Sequence, residues 1–190
     1  MAKHHVLIAA AVAALPFPAM AGVTVIGSSS AHMCYLAAES AAMPGPSDLR
    51  LCNAALGEAV VDSRNITATY VNRGILHLRR GDVDGAMRDF DEALRRDPSE
   101  PEAYLNRGSA LLRREQTGEA LAMFSQALEH NTRRPALAHY GRAMAHELLG
   151  DVRSAYYDYR RASEIDPGWG APREDLQRFR VVPASQTRPS

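Results

Sequence analysis

The chain has 190 residues, about the size of one ordinary domain, so a single folding unit is expected. Its 22 basic residues balance its 22 acidic residues, so no basic field attracts nucleic acid or an anionic membrane, and neither partner is expected. Only 7 Tyr, 4 Phe and 1 Trp accompany abundant alanine and leucine, a composition that favours helices over sheet.

Residues 1–21 have the features of a secretory signal peptide. A short basic start precedes an unbroken apolar run from Val6 to Leu15, and the small-x-small triplet Ala19-Met20-Ala21 follows. The run is much shorter than the roughly 20 residues that a transmembrane helix needs. We therefore predict cleavage after Ala21, a periplasmic or secreted protein and no membrane span after the leader is removed. An uncleaved membrane anchor is the alternative.

Two cysteines, Cys34 and Cys52, lie in the next segment of the chain. In an oxidising compartment an even number of cysteines at short spacing indicates a disulfide, with two unpaired buried thiols as the alternative. Residues 31–41 and 47–60 are predicted to form two helices around the sequence Met-Pro-Gly-Pro-Ser at 43–47.

Residues 67–169 contain a repeat with a period of 34 residues. The triplet Asn-Arg-Gly at 72–74 returns at 106–108, and a degraded form, Gly-Arg-Ala, follows at 141–143. The last step is one residue longer, which places an inserted residue near Arg134. Other positions keep the same step: Ala86, Ala120 and Ala155; Phe90, Phe124 and Tyr159; Ala93, Ala127 and Ala162.

Each unit is predicted to form two helices. In the first unit the apolar stripe of helix one stops at Gly81, which can adopt the left-handed conformation that ends a helix. The second helix begins after Asp82 and ends before Pro98. Gly74 has no side chain to hold the two helices apart, and Phe90 is expected to fill the remaining gap.

This pattern is similar to that of the tetratricopeptide repeat family, which has a bulky residue at position 4, a small one at 8, Ala at 20, an aromatic at 24, Ala at 27 and Pro at 32. Residues 67–100 match it at Tyr70, Gly74, Ala86, Phe90, Ala93 and Pro98. Residues 101–134 match at Tyr104, Gly108, Ala120, Phe124 and Ala127, with Thr132 in place of proline. Residues 136–169 match at His139, Ala143, Ala155, Tyr159, Ala162 and Pro167.

The resemblance implies an all-α fold, a right-handed superhelical array of helix-turn-helix hairpins. Residues 22–66 are then a degenerate first hairpin, whose two helices the disulfide would join. Residues 170–180 are expected to form a capping helix over the last apolar face, and residues 181–190 a disordered tail.

The resemblance also implies a peptide-binding groove. In the family, the first helices of the units line an inner wall, and ligand contacts fall at fixed positions along them. The residues of this chain at those positions are Val71, Asn72, Ile75, Leu78, Arg79, Leu105, Asn106, Ser109, Leu112, Arg113, Tyr140, Met144 and Glu147. They form an apolar strip with polar edges, which suits an extended peptide.

Asn72 and Asn106 are the most specific members of this set. An asparagine amide presents a donor and an acceptor, so it can hold a peptide backbone whatever side chains the ligand carries. Family members with a ladder of such asparagines bind peptides this way, but Gly141 takes the third position here. The alternative is that both side chains bond only to the adjacent hairpin. Arg79 and Arg113 either pair with ligand carboxylates or are solvated charges at helix ends.

Arginines recur at positions 73, 107 and 142, which are usually apolar in the family. Asp89 and Asp158 are predicted to pair with the first and the third of them, whereas Met123 leaves the middle arginine without the equivalent partner.

No enzymatic activity is expected. His146-Glu147 begins a run resembling the zinc-protease motif, but Gly150 occupies the place of the second histidine. We therefore predict no catalytic residue, no metal and no cofactor. The predicted function is an interaction adaptor that binds a peptide segment of another protein in its groove. The alternative is a structural module that assembles as a homo-oligomer.

Overall fold

The computed structural model describes residues 22–24, 29–40, 42–57 and 63–179. Within these ranges the regular structure is helical and no strand occurs. The helices are α1 (Ser29–Glu39), α2 (Pro46–Gly57), α3 (Ser63–Arg79), α4 (Val83–Arg96), α5 (Pro101–Arg113), α6 (Thr117–Glu129), α7 (Pro135–Leu148), α8 (Val152–Ile165) and α9 (Ala171–Leu176). The predicted leader and the predicted disordered tail lie outside the described residues.

The helices pair in order into four antiparallel hairpins, α1–α2, α3–α4, α5–α6 and α7–α8. The first helix of each hairpin also packs against the first helix of the next one, so α1, α3, α5 and α7 form one continuous layer. The predicted all-helical array of stacked hairpins is therefore confirmed. Helix α3 begins before residue 67, and α9 ends at Leu176, so both differ in length from the predicted elements. None of the described helices is both long and apolar enough to cross a membrane.

Two hairpins turn through a glycine in the left-handed region, as the sequence predicts. Gly81 has φ 84° and Gly150 has φ 82°. The next residue in each case is an aspartate, and its carboxylate accepts a bond from the backbone N–H three residues on, at 2.8 Å for Asp82 and 3.0 Å for Asp151. The α5–α6 hairpin lacks both features. The residue with positive φ at its turn is Glu115, at 60°, and no side chain caps α6.

The small residues of the repeat let an aromatic ring fill the space between paired helices. A Cβ atom on Gly74 would lie 2.5 Å from Phe90 Cε1, and one on Gly108 would lie 2.9 Å from Phe124 Cε1. Both phenylalanines are buried. The helix separation in these two hairpins therefore depends on glycine at these positions.

The predicted disulfide is formed. Cys34 in α1 and Cys52 in α2 are bonded, and both are fully buried. The bond closes a loop of 18 residues, which is worth about 3 kcal/mol in the chain-entropy model. The first hairpin has a neighbouring repeat on one side only, so this cross-link offsets the burial that it lacks.

The two predicted ion pairs are present. Arg73 bonds Asp89 at 2.6 Å, and Arg142 bonds Asp158 at 2.7 Å. Burial would raise the pKa of Asp158, but hydrogen bonds from Arg142 and from a neighbouring histidine outweigh it and lower that pKa. Arg107 bonds Asp91 of the preceding hairpin at 2.8 Å, and its Nη1 also donates to the sulfur of Met123, the equivalent position in its own hairpin, at 3.1 Å.

The contact between Gly74 and Phe90 gives a direct test of this packing. We expect Gly74→Ala to lower the free energy of unfolding by about 1 to 3 kcal/mol, because the added methyl group overlaps the ring. Gly118→Ala is the matched control, since a Cβ there meets nothing within 4 Å. Chemical denaturation should show that the control is neutral or slightly stabilising. Equal stability of both variants would contradict the proposed packing.

Candidate peptide-binding groove

The inner wall of the array is made by α3, α5 and α7, which carry the thirteen residues predicted to bind a peptide. Seven of the thirteen are buried: Val71, Asn72, Ile75, Leu78, Leu105, Asn106 and Ser109. The predicted residues in α3 are buried in part by α1, which packs against α3. These side chains contribute to the protein core in this conformation, which differs from the exposed apolar strip expected from the sequence.

Asn72 holds the backbone of an extended segment, as the sequence predicts for a peptide ligand, but this segment belongs to the chain itself. Its amide oxygen accepts a bond from Val23 N at 2.7 Å, and its amide nitrogen donates to Val23 O at 2.8 Å. The Asn72 side chain is fully buried. The backbone N–H and C=O groups of Val23 are therefore both bonded to a single side chain.

We name residues 22–24 the groove segment. Two elements other than α3 hold Gly22 and Thr24 of this segment. Gly22 N donates to Glu39 Oε1 at the end of α1, at 2.6 Å. Arg133, in the loop between α6 and α7, donates from Nη2 to Gly22 O at 3.2 Å and from Nη1 to Thr24 Oγ1 at 3.3 Å. The segment thus lies where the end of α1 meets the loop between α6 and α7, which Arg134 joins to Glu39 at 3.0 Å.

A buried carboxylate positions Arg133. Glu102 in α5 has no exposed surface, and it accepts bonds from Thr132 Oγ1 and from Arg133 N, both at 2.8 Å. The Arg133 guanidinium also lies 3.4 Å from the same carboxylate. Thr132 stands where the family has proline, and the inserted residue falls in this loop. The departure from the repeat pattern therefore builds one side of the groove.

The other two positions of the asparagine ladder do not contact the groove segment. Asn106 donates from Nδ2 to Glu102 O, one turn back in its own helix, at 2.8 Å. Gly141 lies under an aromatic ring, where a Cβ would come 2.5 Å from Phe124 Cζ. An asparagine side chain has no room at this third position, so the break in the ladder follows from packing.

Arg79 and Arg113, one period apart, bind backbone carbonyls at the end of the preceding inner helix. Arg113 Nη1 donates to Leu78 O at 2.6 Å, and Arg79 Nη1 donates to Ala38 O at 3.3 Å. Burial lowers the pKa of both guanidinium groups. Arg113 nevertheless lies exposed at the end of α5, and pairing of either arginine with a ligand carboxylate stays a prediction. The two arginines join successive hairpins.

The predicted residues of the third unit are engaged by the end of the chain. The Tyr140 hydroxyl donates to Asp175 Oδ2 at 2.8 Å, and Arg178 donates to Glu147 Oε2 at 2.9 Å. Burial and the nearby Asp175 raise the pKa of Tyr140. Two predicted residues on the inner wall, Leu112 and Met144, remain half-buried. The groove is therefore filled at one end by residues 22–24 and covered at the other by residues of and just after α9.

Sequence reasoning found Asn72 but missed Glu39, Glu102 and Arg133. The available signal was the period break near Arg134 together with Thr132 in the place of proline. Periodicity shows where a repeat is interrupted, but it does not show which distant segment the interruption contacts. In the described part of the chain, no group of three or more His, Cys, Asp or Glu residues has the arrangement needed to hold a metal ion.

Stacked helical hairpins that hold a short segment of the chain along their inner wall define a helical-repeat interaction scaffold. The chain belongs to the tetratricopeptide repeat family, since a model of that family matches residues 71–121 and 105–168. No curated protein matches the chain significantly.

Solved structures with the same fold include tetratricopeptide repeat domains from proteins of different organisms. The first such domain of human RPAP3 has a TM-score of 0.55 at 24% identity, covering 59% of this chain and 87% of that one. The first such domain of Spaghetti (RPAP3), bound to the HSP90 peptide SRMEEVD, has a TM-score of 0.57 at 25% identity, covering 62% and 94%. MamA has a TM-score of 0.58 at 21% identity, covering 68% and 72%.

The position of Arg113 predicts a structural role. We expect Arg113→Met to lower the free energy of unfolding by about 1 kcal/mol, because the Leu78 carbonyl loses a charged donor that is only partly shielded from water. The exposed Arg173 in α9 is the control, and Arg173→Met should change stability by less than about 0.5 kcal/mol. Unchanged stability of Arg113→Met with loss of peptide binding would restore the ligand role.

Proposed function

We propose that this protein is an exported adaptor that binds an extended peptide segment of a partner protein in its groove. The observation that carries the proposal is the two-point bond between Asn72 and the backbone of Val23. These bonds use only backbone atoms of the bound residue, so a partner segment with other side chains can make them equally well. The likeness to a domain bound to the HSP90 peptide supports the same class of ligand.

In this proposal the partner strand takes the place of residues 22–24. Leu112 and Met144 continue the inner wall beyond the groove segment and offer apolar surface to the following ligand residues. Arg133 is available to a ligand carbonyl because Glu102 fixes its position. Export is supported by the leader features of residues 1–21 and by the disulfide between Cys34 and Cys52, which is typical of an oxidising compartment.

The role of Asn72 is tested with peptides selected by the wild-type protein from a displayed random library. Wild type and variant are both compared in a chain that begins after residue 24, where the chain's own segment does not compete. There we expect Asn72→Ala to weaken peptide binding at least about fivefold, because two hydrogen bonds worth about 0.5 to 1.5 kcal/mol each are lost. Fluorescence polarisation with labelled peptides measures the change.

Gln126→Ala is the control, because this side-chain amide lies in α6, outside the predicted groove residues, and bonds Glu129 of its own helix at 2.7 Å. Its peptide affinity should equal that of the wild type. Equal affinities of wild type and Asn72→Ala would count against the groove as the binding site, provided that circular dichroism shows both variants folded.

Self-assembly is a second candidate function, favoured by exposed apolar side chains at the turn of the fourth hairpin, α7–α8. Leu148, Leu149 and Val152 are each more than half exposed, at 56%, 53% and 57%. If a second copy covers them, light scattering over a concentration series should show a mass that rises with concentration, and Val152→Glu should remove the rise. A strictly monomeric wild type would exclude this function.

A further inference from the structure

The groove segment is bound as a ligand is bound, through its backbone. The N–H and C=O groups of both Gly22 and Val23 are bonded to side chains from three separate elements. Glu39 takes the first N–H, Asn72 takes both groups of Val23, and Arg133 takes the first C=O. Such complete side-chain satisfaction of two consecutive residues fixes the position of the segment to one register.

Glycine at the first position of the segment leaves room for the Glu39 carboxylate. A Cβ on Gly22 would lie 2.7 Å from Glu39 Oε1 and 3.2 Å from Asn72 Oδ1. A larger residue would displace the Glu39 carboxylate and lengthen its 2.6 Å bond to the backbone nitrogen. The site therefore binds a nitrogen donor and favours a residue without a side chain at this position.

Gly22 is also the residue that follows the predicted cleavage site at Ala21. Cleavage there converts the Gly22 amide into a free α-ammonium group with three N–H donors and a positive charge. A hydrogen bond from a neutral amide to Glu39 would then become an ion pair, which is the stronger interaction.

We propose that Glu39, Asn72 and Arg133 form a receptor for the amino terminus that leader removal creates at Gly22, with the new ammonium group paired to the Glu39 carboxylate. The ligand class is an extended peptide that begins with a free glycine. This inference rests on the export and cleavage that form part of the proposed function. It needs no partner protein, because the ligand is the chain's own terminus.

The charged groups around this site are compatible with an added ammonium. Arg134 bonds the other carboxylate oxygen of Glu39 at 3.0 Å, which leaves Oε1 for Gly22. Arg133 is paired with the buried Glu102 at 3.4 Å, so its charge is already balanced. Because Arg134 and Arg133 add positive charge beside the site, the effect of Glu39 is read by comparison: we expect the pKa of the terminal amino group to be higher with Glu39 than with a neutral glutamine in its place.

The composition of the chain makes this terminus unusually easy to observe. Lys3 is the only lysine, and it lies in the predicted leader. A chain that begins at Gly22 thus contains one primary amine, its own terminus. An amine-reactive ester therefore labels that single group, and intact mass spectrometry counts the product without interference from side chains.

The experiment uses the full chain expressed with its leader and purified from the periplasm of a bacterial host. Intact mass first identifies the starting residue. Labelling rates at pH 7 are then compared for wild type, Glu39→Gln and the control Glu129→Gln, each relative to its unfolded form. We expect Glu39→Gln to label about tenfold faster than wild type, the factor that one unit of pKa produces, and Glu129→Gln to match wild type.

Each result distinguishes this inference from the rest of the proposed function. A different starting residue would overturn the predicted cleavage, and the receptor with it, while the peptide assay on Asn72→Ala stands by itself. A start at Gly22 with equal labelling of wild type and Glu39→Gln would overturn the receptor alone. If Glu39→Gln does not fold, Gly22→Ala serves instead, and it should also label faster because its methyl group displaces the carboxylate.

Discussion

The close approach of the two helices in each hairpin is the constraint on which the structure depends. Glycine at positions 74 and 108 brings the backbone against the rings of Phe90 and Phe124. With this spacing fixed, the first helices stack side by side and the second helices form the outer layer. In these two hairpins the core packing sets how closely the paired helices approach, and the inner wall that carries the groove is built on these hairpins.

The same packing decides which inner positions can bind a ligand. Asn72 faces the groove segment, whereas Gly141 lies under the Phe124 ring and Asn106 bonds to its own helix. Further contacts to the groove segment come from outside the repeat pattern, from Glu39 and Arg133. Binding in this chain therefore depends on its irregular parts as much as on its repeats.

The sequence predicted the fold well because its determinants are local and periodic. Period, turn glycines and small-to-aromatic pairs each act within one hairpin, and so do the ion pairs of Arg73 and Arg142. The groove was predicted less well, because its state depends on long-range contacts. Arg133 meets Gly22 across more than a hundred residues, and no periodicity encodes such a contact. Likewise, the family positions identified Val71 and Ile75 as inner-wall residues, but not that they are buried.

A groove that already holds a strand of its own chain sets a condition on any partner. An intramolecular ligand competes at an effective concentration that reaches the millimolar range for a short flexible connection. A partner peptide binds only the fraction of molecules whose groove is open, so its apparent dissociation constant rises by the inverse of that fraction.

Removal of a bond to residues 22–24 therefore has two opposite effects. It opens the groove to a partner peptide. Where the same side chain also bonds the partner peptide, its removal weakens the binding of that peptide. Asn72 contacts backbone atoms that any strand carries, so it contributes to both equilibria. Glu39 contacts the Gly22 nitrogen, and a side chain at this position would displace its carboxylate, so its contribution favours the chain's own segment. Glu39 therefore affects self-occupancy, whereas Asn72 affects both self-occupancy and partner affinity.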